Sequence, residues 1–595
     1  MAWSSFRALT LQRQANRNDR AQPATLSARR SMRRAPFSFG LGVGLVLWIT
    51  LLPATAEVPV KVVPVTAPRT MVVAGHPEAA EAGAAILRAG GNAIDAAVAV
   101  SLSLGVAEPY GSGMGGKLML LYYDAKTGQT HAIDGMDQAS WSVVPADYVK
   151  RPEKDRADGW GSVCTPGLPA ALDLAHAKWG RLSWAKTVRP AIDLAKKGFT
   201  VLPKTRVLFE ERLDKLRGQD GSLAKLFLPN GELPAVGTRL PNPALARTME
   251  AFSRQRSRGF YRGNVARELV EASRRGGGLL TLEDFARYEA RLTTPISVEF
   301  RGLRLEGGPP PTTGAALFFT ILKALENQPL QPPLRTAENI DLVGRIWREV
   351  QPEIQRTQAD SLESREAFET LVSPESISRI RAKALESTAA GRKVAGWSEG
   401  ESVHASTTHF AVVDAEGNVV CATQSQSLHF GAGVVVAGVI MNDSMSNFSF
   451  YDPSNPNFLA PGRRSRSTIA PTLVLREGKP EMAIGIPGAS RIPTALLQTL
   501  IDALVFSRPL EDAIGDTRIH WYNPFTRGKP DAVEAEKSLD PAVVTGLRAK
   551  GWDVNLPEEP GTGRHFGGIN AIVLNPDGSR TGYADPRRSN AAVGN

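Results

Sequence analysis

The segment from Thr407 to Ser425 constrains the fold more than any other. It reads Thr-Thr-His-Phe-Ala-Val-Val-Asp, then Ala-Glu-Gly, then Asn-Val-Val-Cys-Ala-Thr-Gln-Ser. The first run alternates as a half-buried strand does. Ala415-Glu416-Gly417 suits a three-residue hairpin loop with Gly417 in the left-handed position, and Asn418 starts the return strand. With Asp414 facing Asn418, Val413 stands opposite Val419, Ala411 opposite Cys421, and Thr407 opposite Ser425. Directly opposed side chains have Cβ atoms about 4.5–5.5 Å apart. Two hydroxyls are therefore expected to face each other at the open end of this hairpin. A slip of one residue would put them on opposite faces. On geometry alone, the pair also fits a plain Thr–Ser contact on a sheet.

The hairpin opens the strand-rich part of the chain. After it come the apolar runs GVVVAGVIM, TLVLRE, MAIGIP and AIVLNP, with helices returning at 493–506 and 540–550. Before it, helices dominate. Pro77 suits a first helical position, and the run PEAAEAGAAILRA ends at Gly90-Gly91. Asn92 caps a second helix, AIDAAVAVSLSLG, with Asp95 in its first turn. Further helical stretches span 168–179, 184–197, 245–256, 264–275, 313–326 and 338–360. Residues 57–70 read as an extended leader, and the polar stretch 373–406, with Gly391, Gly396 and Gly400, reads as a mobile surface segment. Gly111-Ser112-Gly113-Met114-Gly115-Gly116 looks like a dinucleotide loop, but a helix precedes it and the strand-like LMLLYY follows. That loop needs strand, glycines, then helix, so the glycines are read as a turn at a strand entrance.

Charge excludes one class of partner. The formal net charge is +10, yet residues 1–56 hold eight arginines against the single acid Asp19. Seven of the ten charges thus lie in that segment, and no basic run marks the remainder as a nucleic-acid surface. Arg33-Arg34 precede an apolar stretch from Phe37 to Leu52, and Pro53-Ala54-Thr55-Ala56 ends in an A-x-A pattern. A basic region, a short apolar core and small residues describe a secretory signal. Cleavage is expected after Ala56, giving a periplasmic or secreted protein that meets a membrane only through this segment. An uncleaved anchor is the alternative. Two cysteines, Cys164 and Cys421, exclude a disulfide-dense framework and leave one bridge or two buried thiols. The eight histidines show no metal-ligand spacing, so no metal or cofactor is expected.

Thr407-Thr408-His409-Phe-x-Val-Val-Asp, following a polar linker, resembles the processing site of the gamma-glutamyltranspeptidase family. The similarity extends through HPEAAEAGAAILRAGGNAIDAAVAVSLSLGVAEPYGSGMGG, Pro166-Gly167, KWGRLSW with PAIDLAKKGF, Pro309-Pro310-Pro311, Pro487-Gly488-Ala489-Ser490-Arg491 and Asp585-Pro586-Arg587. The resemblance implies an α+β fold, the four-layer αββα sandwich of the N-terminal-nucleophile hydrolases. It implies a precursor that cuts itself between Ser406 and Thr407. Residues 57–406 would become a large fragment and 407–595 a small one, each the other's partner. It implies Thr407 as nucleophile, Ser425 as the second hydroxyl, and the backbone N–H groups of Gly488 and Ala489 as oxyanion hole. The freed α-amine, with an ordinary pKa near 7.7–8, would serve as base. His409 is read as structural. The substrates implied are γ-glutamyl or related amides such as glutathione, with water or an amine as acceptor.

The chain departs from the family where the acyl group is held. The family's carboxylate-binding arginine falls at Met136 in Asp134-Gly135-Met136-Asp137. Its paired hydroxyls fall at Ser467 and Thr468. Its ammonium-binding acid falls at Asn447, and its asparagine after the second hydroxyl at Ser427. Hydrogen bonds to charged groups are worth roughly 1.5–3 kcal/mol each. Losing two costs on the order of 3–6 kcal/mol, or about 10²–10⁴ in binding. Arg466, beside Ser467, is the candidate for a substitute cation, against the plainer reading of an exposed arginine. Three functions are thus in play. The first is a gamma-glutamyltransferase-like amide hydrolase. The second is an acylase for acyl groups without a free α-amino group, such as glutaryl. The third is a processed but idle binding protein.

Overall fold

A computed structural model of the chain describes residues 60–218, 220–386, 405–522, 531–557 and 564–595. The export segment and its cleavage after Ala56 lie outside the described residues. Two seven-stranded sheets form the centre, and every pairing within them is antiparallel. One runs Ala591–Gly594, Met71–Ala74, Ala405–Val413, Val419–Leu428, Lys117–Asp124, Gln129–Gly135, Arg291–Thr293. The other runs Val65–Ala67, Arg580–Ala584, Asn570–Leu574, Lys479–Gly485, Thr472–Arg476, Leu303–Gly307, Ile296–Phe300. Both sheets therefore draw strands from before and after Thr407.

Alternation along the strands sorts the core into three apolar layers. Phe410, Val412, Val420 and Ala422 meet the helices Pro77–Arg88 and Ala93–Ala107. Ala411, Val413, Val419 and Cys421 lie between the sheets, with Leu473, Leu475, Ala483 and Ile572. Leu305, Val474 and Ile484 meet the helices Gly314–Leu325, Ala337–Thr357 and Arg491–Leu500 on the far side. Three apolar layers separate four layers of structure, the expected αββα sandwich. Both faces of each sheet are covered, so the central strands are apolar on both sides.

The hairpin has the expected register from Val413↔Val419 to Thr408↔Gln424, with Gly417 at φ +87°. Beyond Thr408 the ladder shifts to Ser406↔Ser427, so two residues of the second strand stand against Thr407. Such a bulge bends its strand and re-aims side chains. The glycine turn enters the strand Lys117–Asp124 as expected. A Cβ on Gly115 would run into the Ile440 carbonyl, and one on Gly116 into the Ser425 carbonyl. The glycines thus let two backbones approach the hairpin's open end.

The segment 373–406 is not wholly a surface linker. Pro374–Glu386 is a helix that buries Ile377, Ile380 and Ala384. Only 387–404 fall outside the described residues. Cys164 and Cys421 are both buried free thiols, in separate apolar clusters. Among the described residues no helix is long and apolar enough to cross a membrane.

Candidate active site

The site forms where the apolar layer between the sheets gives way to polar side chains at one end. His409 and Thr423 share the inward face with Cys421, and Thr407 and Ser425 come next along the same two strands. Thr407 Oγ1 lies 3.1 Å from Ser425 Oγ and is hydrogen-bonded to the carbonyl oxygen of Ser406. Ser425 Oγ donates to that same carbonyl at 2.6 Å and accepts from the Ser427 N–H at 3.0 Å. The two hydroxyls thus meet, although the bulge replaces the expected direct pairing of Thr407 with Ser425, and the peptide they share is 406–407. Ser406 Oγ donates to the Gly111 carbonyl at 2.8 Å, and Arg588 donates to the Thr407 carbonyl at 3.3 Å. The peptide is therefore gripped on both sides. Thr408 points to the other face and donates to the buried Glu108.

His409 is fully buried. Burial alone holds its imidazole down at about 3, so it is neutral at physiological pH. Its Nδ1 lies 2.8 Å from Thr423 Oγ1. A Cβ on Gly485 of the facing sheet would run into its ring. His409 thus acts as a spacer between the sheets.

The loop after Gly485 carries Gly488 at φ +153° and Ala489 at φ +54°. Left-handed backbone is easy for glycine and costly for alanine, so Ala489 needs outside support. Thr468 supplies it by donating to the Ala489 carbonyl at 2.8 Å. Arg491, which begins the next helix, is buried and forks onto Glu534 at 2.6 and 2.9 Å. His565 reaches the other oxygen of Glu534 at 2.7 Å. Ser467 lies beside this brace, with its N–H on the Pro311 carbonyl at 3.2 Å.

Burial would raise the Glu534 carboxyl, but His565 and Arg491 outweigh it and hold the group down at about 2. A depressed carboxyl stabilises the fold fully above its ordinary value near 4.5 and loses that contribution as pH falls towards 2. The difference is worth on the order of 3 kcal/mol at neutral pH. Glu534→Gln is therefore expected to lower the melting temperature at pH 7, and the gap from the parent should shrink to about half or less at pH 3. A gap unchanged between the two pH values would refute this.

The residues aligned with the acyl-holding positions separate into two groups. Ser427 and Asn447 come together, with Asn447 Nδ2 donating to Ser427 Oγ at 2.8 Å. Met136 goes elsewhere. Its side chain is fully buried in the apolar layer with Met119 and Phe318, and only its peptide groups make polar contacts, to Tyr288 and Asp134. A thioether in an apolar layer does not grip a carboxylate. Arg466 is not an exposed arginine. It is half-buried and donates to the carbonyls of Gln355 and Gln358.

Sequence reasoning missed Lys117, Asp137 and Ser444. Lys117 is the register partner of Ser425 on the neighbouring strand. It is 1% exposed and donates to Ser427 Oγ at 2.7 Å and Ser444 Oγ at 2.8 Å. Asp137 lies 3.8 Å from its ammonium and accepts from Ser444 at 2.5 Å. Burial pushes Asp137 up to about 7 against the pull of Lys117, and Asp443 up to about 6. Burial likewise lowers Lys117. The signal was available: a lysine directly after a glycine turn, opening a strand with two buried faces. Among the described residues no cluster suits a metal ion.

The family model described as Gamma-glutamyltranspeptidase matches residues 79–595. The chain belongs to that family. This gamma-glutamyltranspeptidase-family enzyme is 30% identical over 552 residues to the glutathione hydrolase proenzyme of Bacillus subtilis strain 168, covering 88% of this chain and 91% of the relative. It is 32% identical over 547 residues to the acylase ACY 1 proenzyme of Pseudomonas sp. strain SE83, covering 90% and 95%. A crystal structure of cephalosporin acylase from Bacillus halodurans superposes with a TM-score of 0.80 at 26% identity, over 92% of this chain and 99% of that one. Similar relatives of the gamma-glutamyltranspeptidase family are thus named for both glutathione hydrolysis and acylase activity.

Proposed function

We propose that the chain is a self-processing amide hydrolase and acyltransferase with Thr407 as its N-terminal nucleophile. The observation that carries this is the pair of hydroxyls, Thr407 and Ser425, both bonded to the carbonyl oxygen of Ser406. In processing, Thr407 Oγ adds to the Ser406 carbonyl carbon, the 406–407 C–N bond breaks, and the nitrogen leaves as the α-amine of Thr407. Water then hydrolyses the ester, releasing residues 57–406 from 407–595. Relatives named as proenzymes support the processing of a precursor. In turnover the α-amine takes the Oγ proton and Oγ attacks a substrate amide. The N–H groups of Gly488 and Ala489 stabilise the oxyanion, and the departing amine receives the proton. Water or an acceptor amine then takes the acyl group from Thr407. Export by residues 1–56 belongs to the same proposal.

The acyl group is inferred to lack a free α-ammonium. The neutral amide of Asn447, where the family's ammonium-binding acid falls, supports an acylase over a strict γ-glutamyl enzyme; Met136 bears only on the carboxylate end, which both acyl groups carry. The name of the Pseudomonas relative and the Bacillus halodurans structure agree with that reading. Release of a chromogenic amine from glutaryl and γ-glutamyl amides tests it on processed protein. The glutaryl amide is expected to give a kcat/KM higher by about 10–10². A strong γ-glutamyl preference would refute the acylase reading. Processing itself is read on a denaturing gel, where fragments of 350 and 189 residues are expected.

A further inference from the structure

Ser427 stands in a backbone conformation that serine seldom adopts. Its φ is +77°, in the left-handed region. In that conformation its N–H meets Ser425 Oγ at 3.0 Å. With that donor in place, the Ser425 proton is directed to the Ser406 carbonyl, 2.6 Å away. The chain of donors thus runs from Ser427 N–H through Ser425 O–H to the carbonyl that Thr407 attacks. The bulge at this point gives the backbone room for the turn.

Something must hold Ser427 there, and its Oγ shows what. The hydroxyl receives Lys117 Nζ at 2.7 Å and Asn447 Nδ2 at 2.8 Å, and lies 3.0 Å from Ser444 Oγ. Lys117 brings the only charge among these three. Its own placement is fixed by the ladder, opposite Ser425, and by Ser444 and Asp137 behind it. A buried ammonium is held by such oxygens because water cannot replace them.

We infer that Lys117 is a positioning residue for the 406–407 cleavage. It locks Ser427 in the left-handed conformation and so aims Ser425 at the scissile carbonyl. This rests on the proposed function, because Ser425 matters only if that peptide is cut.

The inference separates from a general role in stability through glycine, which adopts a positive φ without an anchor. The test is the processing half-time of freshly synthesised precursor on a denaturing gel. Four chains are compared, all carrying Asp137→Asn so that loss of the ammonium strands no carboxylate beside it. They are the parent, Lys117→Met, Ser427→Gly, and the double variant. Lys117→Met is expected to slow cleavage about tenfold or more. In the Ser427→Gly background the same substitution should slow it less than about threefold. Melting curves confirm that each chain is folded. Equal slowing in both backgrounds, or none in either, overturns the inference. If Lys117→Met does not fold, Lys117→Arg replaces it, and a slowing relieved by Ser427→Gly is again required. An unsubstituted chain that never cleaves overturns the proposed function instead.

Discussion

Thr407→Ala is expected to leave the chain in one piece and to abolish amide hydrolysis. The loss should reach roughly 10⁴-fold or more, as for removal of other catalytic nucleophiles. The reason lies in how much rests on one side chain. Thr407 Oγ1 touches the Ser406 carbonyl oxygen and Ser425 Oγ, and alanine supplies neither the nucleophile nor a new N-terminus. Thr407→Ser keeps the hydroxyl but lacks the γ-methyl that limits its rotation, so it should cleave more slowly and still finish. Mass spectrometry of the small fragment checks that it begins at residue 407. Two fragments from the alanine variant would sink both the cleavage site and the nucleophile.

Asn447→Asp is expected to shift acyl preference towards γ-glutamyl amides by about 10–100-fold, measured as the ratio of kcat/KM for γ-glutamyl and glutaryl substrates. The substitution is nearly isosteric, and the new carboxylate would stand where the amide now donates to Ser427. It supplies an anionic partner for a substrate ammonium, and one such bond is worth roughly 1.5–3 kcal/mol. It also takes a donor from Ser427, so the absolute rate is expected to fall while the ratio rises. An unchanged ratio would place the ammonium subsite elsewhere and remove the main support for an altered acyl preference.

The hairpin was legible because three local signals agree there. Alternation, a loop with glycine at its left-handed position and a facing asparagine define one register, and that register runs through to Thr408↔Gln424. The last step was not legible, because a bulge is a local response to what packs around it, here the glycine turn at 115–116. Met136 shows a different limit. Motif position says which residue stands in a place, not where its side chain points, and a methionine just past the end of a strand follows the apolar layer. The helix Pro374–Glu386 was hidden by its polar surface, since only Ile377, Ile380 and Ala384 carry its buried stripe. Lys117 was overlooked because a single charge in an apolar run reads as an exception. In a strand covered on both faces it must have partners, and those partners lead to Ser427.

The interleaving of the sheets has a consequence for the cut molecule. In one sheet, Ala405–Val413 and Val419–Leu428 lie between Met71–Ala74 and Lys117–Asp124. In the other, Thr472–Arg476 lies against Leu303–Gly307, and Arg580–Ala584 against Val65–Ala67. Fragments divided at 406–407 could part only by opening backbone ladders in both sheets at once. Dilution of the folded protein should therefore not readily dissociate them, and heating should melt both in a single transition whose midpoint falls with dilution, because unfolding releases two separate chains. The cleavage would change covalent connectivity and leave the cooperative unit whole.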